Sequence, residues 1–178
     1  MKANAALWIL LLSALAAGLP RLGAQDPGSG QPGPGANWYL YWADEAKPGS
    51  YAFVTDEKIE ISDCYATVWS KVYDPEKGTE TTVKELYDAE NDTMAMVFLC
   101  ETNPKREVLR TVTVRHPESK LEPIGEAKSR DGALYACLKG TMDMKPKSEA
   151  VRAFAEADKR LKERARQRPG GAAPAVWP

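Results

Sequence analysis

Histidine is nearly absent. The chain of 178 residues has one, His116, and only three cysteines, Cys64, Cys100 and Cys137. Those counts exclude zinc sites of four cysteines or of two cysteines and two histidines, and any catalytic centre that needs two histidines; the cysteine spacings, 36 and 37 residues, match no metal motif. No glycine-rich phosphate loop, metal-ligand cluster or nucleophile motif occurs. Neither sign of charge dominates. Against 24 Lys and Arg stand 25 Asp and Glu, for a net charge of -1, which argues against a nucleic-acid partner gripping the whole surface. These absences point to a protein that is not an enzyme and carries no cofactor or metal. What is present suffices for a packed core: 43% of the residues are hydrophobic and 28% charged. The length fits one domain plus tails.

The longest apolar run lies at the start. Lys2 precedes a stretch from Ala5 to Ala17 that holds Leu7, Trp8, Ile9, Leu10, Leu11 and Leu12, and Leu22-Gly23-Ala24 ends on a small residue. This three-part order predicts a secretory signal peptide over residues 1–24. The run is shorter than the ~20 residues a bilayer requires, so no stable membrane span is expected after cleavage. Cleavage would remove Lys2 and Arg21, leaving 22 cations against 25 carboxylates, a net charge of -3. Export follows from this reading. All three cysteines would then reach an oxidising compartment, where disulfides persist. Three cysteines allow three pairs and always leave one over.

Composition divides the rest. Residues 25–37, QDPGSGQPGPGAN, read as a Pro/Gly-rich linker, and 169–178, PGGAAPAVWP, as a disordered tail. The body is expected over 38–168. Its strand signals come first: the aromatic run Trp38–Trp42, then Tyr51–Val54, Cys64–Tyr73, Thr81–Tyr87, Met94–Cys100, Arg106–Arg115 and Leu134–Leu138. Cys64–Tyr73 is the clearest, because Tyr65, Thr67, Trp69, Lys71 and Tyr73 alternate with Ala66, Val68, Ser70 and Val72. Asp131-Gly132 reads as a turn before the last strand. The period then becomes helical. Ser148 is the expected N-cap, and Val151, Phe154, Leu161 and Ala165 follow on one face. Strands first and one helix last predict an α+β fold, a mainly antiparallel β-sheet with one C-terminal α-helix packed on it.

Two groups of residues are candidate binding determinants. The helix ends in Lys159, Arg160, Lys162, Arg164, Arg166 and Arg168, with Glu163 as the single acid among them. Such a polarised run suits a sulfated glycan, lipid headgroups or an acidic protein, and it also suits a solvated helix end. Trp38 and Tyr41 stand in the aromatic run. Half of an alternating strand faces the core, and the other half could form an interface patch of the residue types that dominate hot spots. His116, before Pro117, reads as a solvated turn residue.

The order of these features resembles the surface-adhesin protein E family of exported Gram-negative bacterial proteins. Trp38 and Tyr41 match its aromatic opening, and Thr67-Val68-Trp69-Ser70-Lys71 its second element. Cys100 with Lys105-Arg106-Glu107-Val108-Leu109 matches the third. Met144-Lys145-Pro146-Lys147-Ser148-Glu149-Ala150 matches the helix start. The similarity spans about Trp38 to Asp158. It implies a small antiparallel sheet with a terminal helix and a role in engaging host matrix or plasma proteins. A periplasmic structural or envelope-assembly factor with no host partner is the alternative. The chain departs from the family in two ways. Asp88–Thr93 looks like an insertion, and no cysteine lies in the terminal helix, where the family tethers helix to sheet. The resemblance therefore implies a disulfide between Cys100 and Cys137, with Cys137 taking the missing cysteine's place.

Overall fold

The computed structural model describes residues 30–33, 35–142 and 146–167. The expected signal peptide and C-terminal tail, part of the linker, Met144-Lys145 and Arg168 lie outside the described residues. Eight strands form one antiparallel sheet: β1 (Trp38–Ala43), β2 (Tyr51–Thr55), β3 (Glu60–Ser62), β4 (Tyr65–Asp74), β5 (Thr79–Asp88), β6 (Thr93–Thr102), β7 (Val108–Thr113) and β8 (Glu122–Pro123). The main order is β1-β2-β4-β5-β6-β7; β3 adds to β4 and β8 to β6. Two helices follow, α1 (Arg130–Lys139) and α2 (Lys147–Gln167). The protein is thus α+β, with the C-terminal helix packed on a mainly antiparallel sheet.

Alternation decides which side each strand residue meets. Opposed residues Ala66 and Tyr87, Val68 and Glu85, and Ser70 and Val83 share one face. That face carries the main core. Tyr41, Ala52, Val54, Ala66, Val68 and Tyr87 from the sheet meet Leu134, Tyr135, Leu138, Met142, Ala150 and Phe154. The other face holds a smaller cluster of Trp69, Phe98 and Cys100, in which the Trp69 and Phe98 rings meet edge to face at 5.8 Å.

Leu134–Leu138 is helical, not a strand. Ser129 caps α1, its Oγ accepting from the Gly132 N–H at 3.1 Å. Gly132, Leu134, Tyr135 and Leu138 are buried, a spacing of two, one and three that fits a helix face rather than a pleat. The Asp131-Gly132 pair suggests a turn, yet both residues stand in the first helical turn. Glycine is needed there for space: a Cβ on Gly132 would lie 2.1 Å from the Glu126 carbonyl oxygen. The second helix starts two residues before expectation, at Lys147 instead of Glu149. Ser148 is inside α2 and is not its cap, and the Glu149 N–H donates to the Pro146 carbonyl at 2.9 Å. The strand expected over Arg106–Arg115 is shorter, because Arg106 turns with φ 63°.

Helix α2 lies along β1. Ala150 and Phe154 are fully buried, with Val151 and Ala157 packed beside them. Asp158 completes the joint. Its Oδ1 accepts from the Leu40 backbone N–H at 3.0 Å, and the same oxygen is 2.8 Å from Lys162 Nζ. Leu40 is 1% exposed, so its N–H has no water to turn to. Asp158→Ala is expected to cost about 1–3 kcal/mol, read as a lower urea midpoint with an unchanged slope.

Candidate functional sites

The outer face of α2 is the most polarised surface that the fold creates. Burying Ala150, Phe154 and Ala157 turns Arg152, Glu156, Lys159, Arg160, Glu163, Arg164 and Arg166 outward, all of them exposed. Arg160 is 3.3 Å from Glu156 and Lys162 pairs with Asp158. Lys159, Arg164 and Arg166 have no ion-pair partner among the described residues. Five of the six basic residues read from the sequence therefore share this helix. Four are exposed, Lys162 is half-buried, and Arg168 is outside the described residues.

The aromatic candidates part company. Tyr41 is 4% exposed and belongs to the main core, which removes it from any partner's reach. Tyr41 is two residues from Tyr39, so alternation turns both toward the main core, and the register shift between Leu40 and Trp42 brings Trp42 to that side as well. Trp38 is half-buried, with Lys71 Nζ 4.4 Å from its ring centroid. That lysine is also 3.4 Å from Glu80. Trp38 is held by its neighbours and lies on the sheet face away from Tyr39.

The cysteines are three free thiols. The Cys100–Cys137 bond that the resemblance implies is not formed. Cys100 packs with Trp69 and Phe98, whereas Cys137 packs against the main core on the helix side. The sheet lies between them, and a disulfide tolerates only about 4.4–6.8 Å between Cα atoms. Burial, slightly offset by Arg160, pushes the Cys137 pKa up to about 11. Cys64 Sγ lies within 4.8 Å of carboxylate oxygens of Asp88 and Glu90. Burial foremost, then Asp88 and Glu90, raises its pKa, favouring the thiol over the thiolate a metal needs. Asp88 is already engaged, accepting from the Glu90 and Asn91 N–H groups and from Asn91 Nδ2. This cluster is the stitching of the β5–β6 turn.

One group of residues was not singled out in the sequence. The helices leave part of the sheet face uncovered, forming a groove of about 630 Å³ lined by Val72, Val83, Met96 and Leu99, with Glu85, Arg130 and Asp131 also in its lining. Glu85 is 1% exposed; its Oε2 accepts from Ser70 Oγ at 2.9 Å and its Oε1 from Arg130 Nη2 at 2.8 Å. Burial raises the Glu85 pKa, while Arg130 and Ser70 pull it back in part. Burial alone would lower the Arg130 pKa; Glu85 foremost holds it above its ordinary value. Asp131 contacts the same guanidinium, though its Oδ1 makes no hydrogen bond. Ser70 lies beside the Tyr41 hydroxyl, and the buried hydroxyls of Tyr41 and Tyr87 make no hydrogen bond among the described residues. Burial, then Glu85, raises both tyrosine pKa values. With both oxygens holding donors, Glu85 is placed to anchor α1 to the sheet rather than to take a proton from a substrate. Its signal was present in the sequence: a charge between Val83 and Tyr87, at an inward position of a strand.

His116 is exposed in a turn, its Nδ1 3.3 Å from Glu118 Oε1. Among the described residues no helix is long and apolar enough to cross a membrane. Compared with protein-family models, curated proteins and solved structures, the chain matches none.

Proposed function

We propose that the protein is an exported, non-enzymatic binding protein that engages acidic regions of host matrix or plasma proteins through the outer face of α2. The observation that carries this reading is the set of Lys159, Arg164 and Arg166, exposed and without ion-pair partners among the described residues, on a helix docked by Phe154 and Asp158. A docked helix presents its charges without a further ordering cost, which favours binding. The resemblance to surface adhesins and the expected signal peptide support the same reading. The test is solid-phase binding of residues 25–178 to vitronectin and laminin, beside the variant Lys159→Gln/Arg164→Gln/Arg166→Gln. Saturable binding that weakens at least about tenfold in the variant is expected, since three charge contacts at roughly 0.5–1 kcal/mol each amount to that much. Binding unchanged in the variant would move the site off α2. No binding to either protein would sink the matrix and plasma reading.

A further inference from the structure

The opposite edge of the sheet carries a second basic surface. β7 ends the strand order, and every residue in it except Val112 is exposed. Val108 is 62% and Leu109 54% exposed, and they are the exposed large hydrophobic residues among those described. Lys105, Arg106, Arg110 and Arg115 surround them in sequence, all exposed. None of the four has an ion-pair partner among the described residues. Between Lys105 and Arg115 the one acid is Glu107, and its Oε2 already accepts from Asn103 Nδ2 at 2.6 Å.

The hairpin that carries these residues is tied in place. Asn103 Oδ1 accepts from the Lys105 and Glu107 N–H groups at 2.9 and 3.0 Å, and the Arg106 N–H donates to the Asn103 carbonyl at 2.8 Å. Two aliphatic side chains beside Lys105, Arg106 and Arg110 near the tied tip, with Arg115 past the far end of β7, fit an anionic lipid surface laid along this edge. The cations meet headgroup phosphates, and Val108 and Leu109 enter the boundary below them. Strand addition by an extended peptide fits less well. The register of β7 shifts between its pairings with Glu101 and Thr102, leaving Leu109 as the extra residue, and bulges and edge charges oppose strand pairing. The whole chain has a net charge of -1, so attraction to an anionic surface is local to such patches and orients the molecule.

We propose that the β6–β7 hairpin, through Lys105, Arg106, Val108, Leu109, Arg110 and Arg115, docks the protein on anionic lipid. This surface is independent of α2, which lies along β1 at the other end of the sheet order. Both can be occupied at once, so a lipid-bound molecule would still present α2 to a macromolecular partner.

The test is flotation of residues 25–178 with phosphatidylcholine vesicles, with and without about 30% phosphatidylglycerol. Binding to the anionic vesicles alone, falling as salt rises, is expected. Val108→Ser/Leu109→Ser and Lys105→Gln/Arg106→Gln/Arg110→Gln/Arg115→Gln should each weaken it at least about tenfold, since each cation near such a surface is worth ~1 kcal/mol and the aliphatic pair a similar total. Circular dichroism melts of these surface variants should match the parent. Lys159→Gln/Arg164→Gln/Arg166→Gln should float as the parent does. Four results overturn the proposal: no flotation with anionic vesicles, equal flotation of both hairpin variants, loss only in the α2 variant, or capture of an acidic peptide by the hairpin without vesicle binding.

Discussion

Arg130→Ala is expected to destabilise the protein by about 3–5 kcal/mol at neutral pH, because it leaves a buried carboxylate without its cation. Glu85 is 1% exposed and keeps only Ser70 as a donor once the 2.8 Å contact to Arg130 is lost. The deficit should depend on pH. Burial already holds the Glu85 pKa above its ordinary value. Such a group contributes stability that is complete below its unfolded pKa and is lost as pH rises through the folded one. Removing the guanidinium takes away the largest pull in the other direction, so the folded pKa climbs further. At a pH of about 4 the carboxyl can protonate in the variant and much of the charge penalty disappears. Urea melts at that pH and at neutral pH check this: the variant's deficit should be clearly smaller in acid. An equal deficit at both values would mean that lost packing, not an uncompensated charge, explains the change.

Phe154→Ala should be equally severe, at about 3–5 kcal/mol. Phe154 is fully buried where α2 meets the sheet, and Ala150, the other fully buried residue of that helix, adds little volume. The loss removes the main hydrophobic joint of α2. A urea midpoint close to that of the parent would show that α2 is held elsewhere. Because α2 also carries Lys159, Arg164 and Arg166, partner binding should weaken in Phe154→Ala although no charge has changed.

Much of the sheet was legible because its strands obey a short period. Tyr65 to Tyr73 alternates cleanly, and the β-branched Thr81, Thr82 and Val83 mark β5 as a strand. β3 is three residues long, too short for a period to show, and the acids Glu60 within it and Asp63 just after it obscure it. Leu134–Leu138 was misread because five apolar or small residues in a row fit either element. The deciding contacts are the Ser129 cap and the close approach of Gly132 to Glu126, both set by how the chain folds back.

The sites divide along the same line. The basic face of α2 is local, since residues three and four apart share a helix face, and it could be read directly. Alternation also sets Trp38 and Tyr41 on opposite faces, so one of the two had to meet the core; the register shift in β1 that brings Trp42 to the core side could not be read. Glu85 was visible as a charge among inward residues, but its partner Arg130 is 45 residues away and only the tertiary structure joins them. Cys100 follows Phe98 by two residues and therefore shares its face, away from the helices. That alternation speaks against pairing Cys100 with a cysteine on the helix side.

The most direct test of α2 as the binding surface is the affinity of residues 25–178 for vitronectin measured across salt, from about 50 to 500 mM. Binding through unpaired surface cations predicts an affinity that falls steeply over this range, and a shallower fall from a weaker start in Lys159→Gln/Arg164→Gln/Arg166→Gln. An affinity that holds steady as salt rises, with parent and variant superimposed, would contradict an electrostatic role for α2.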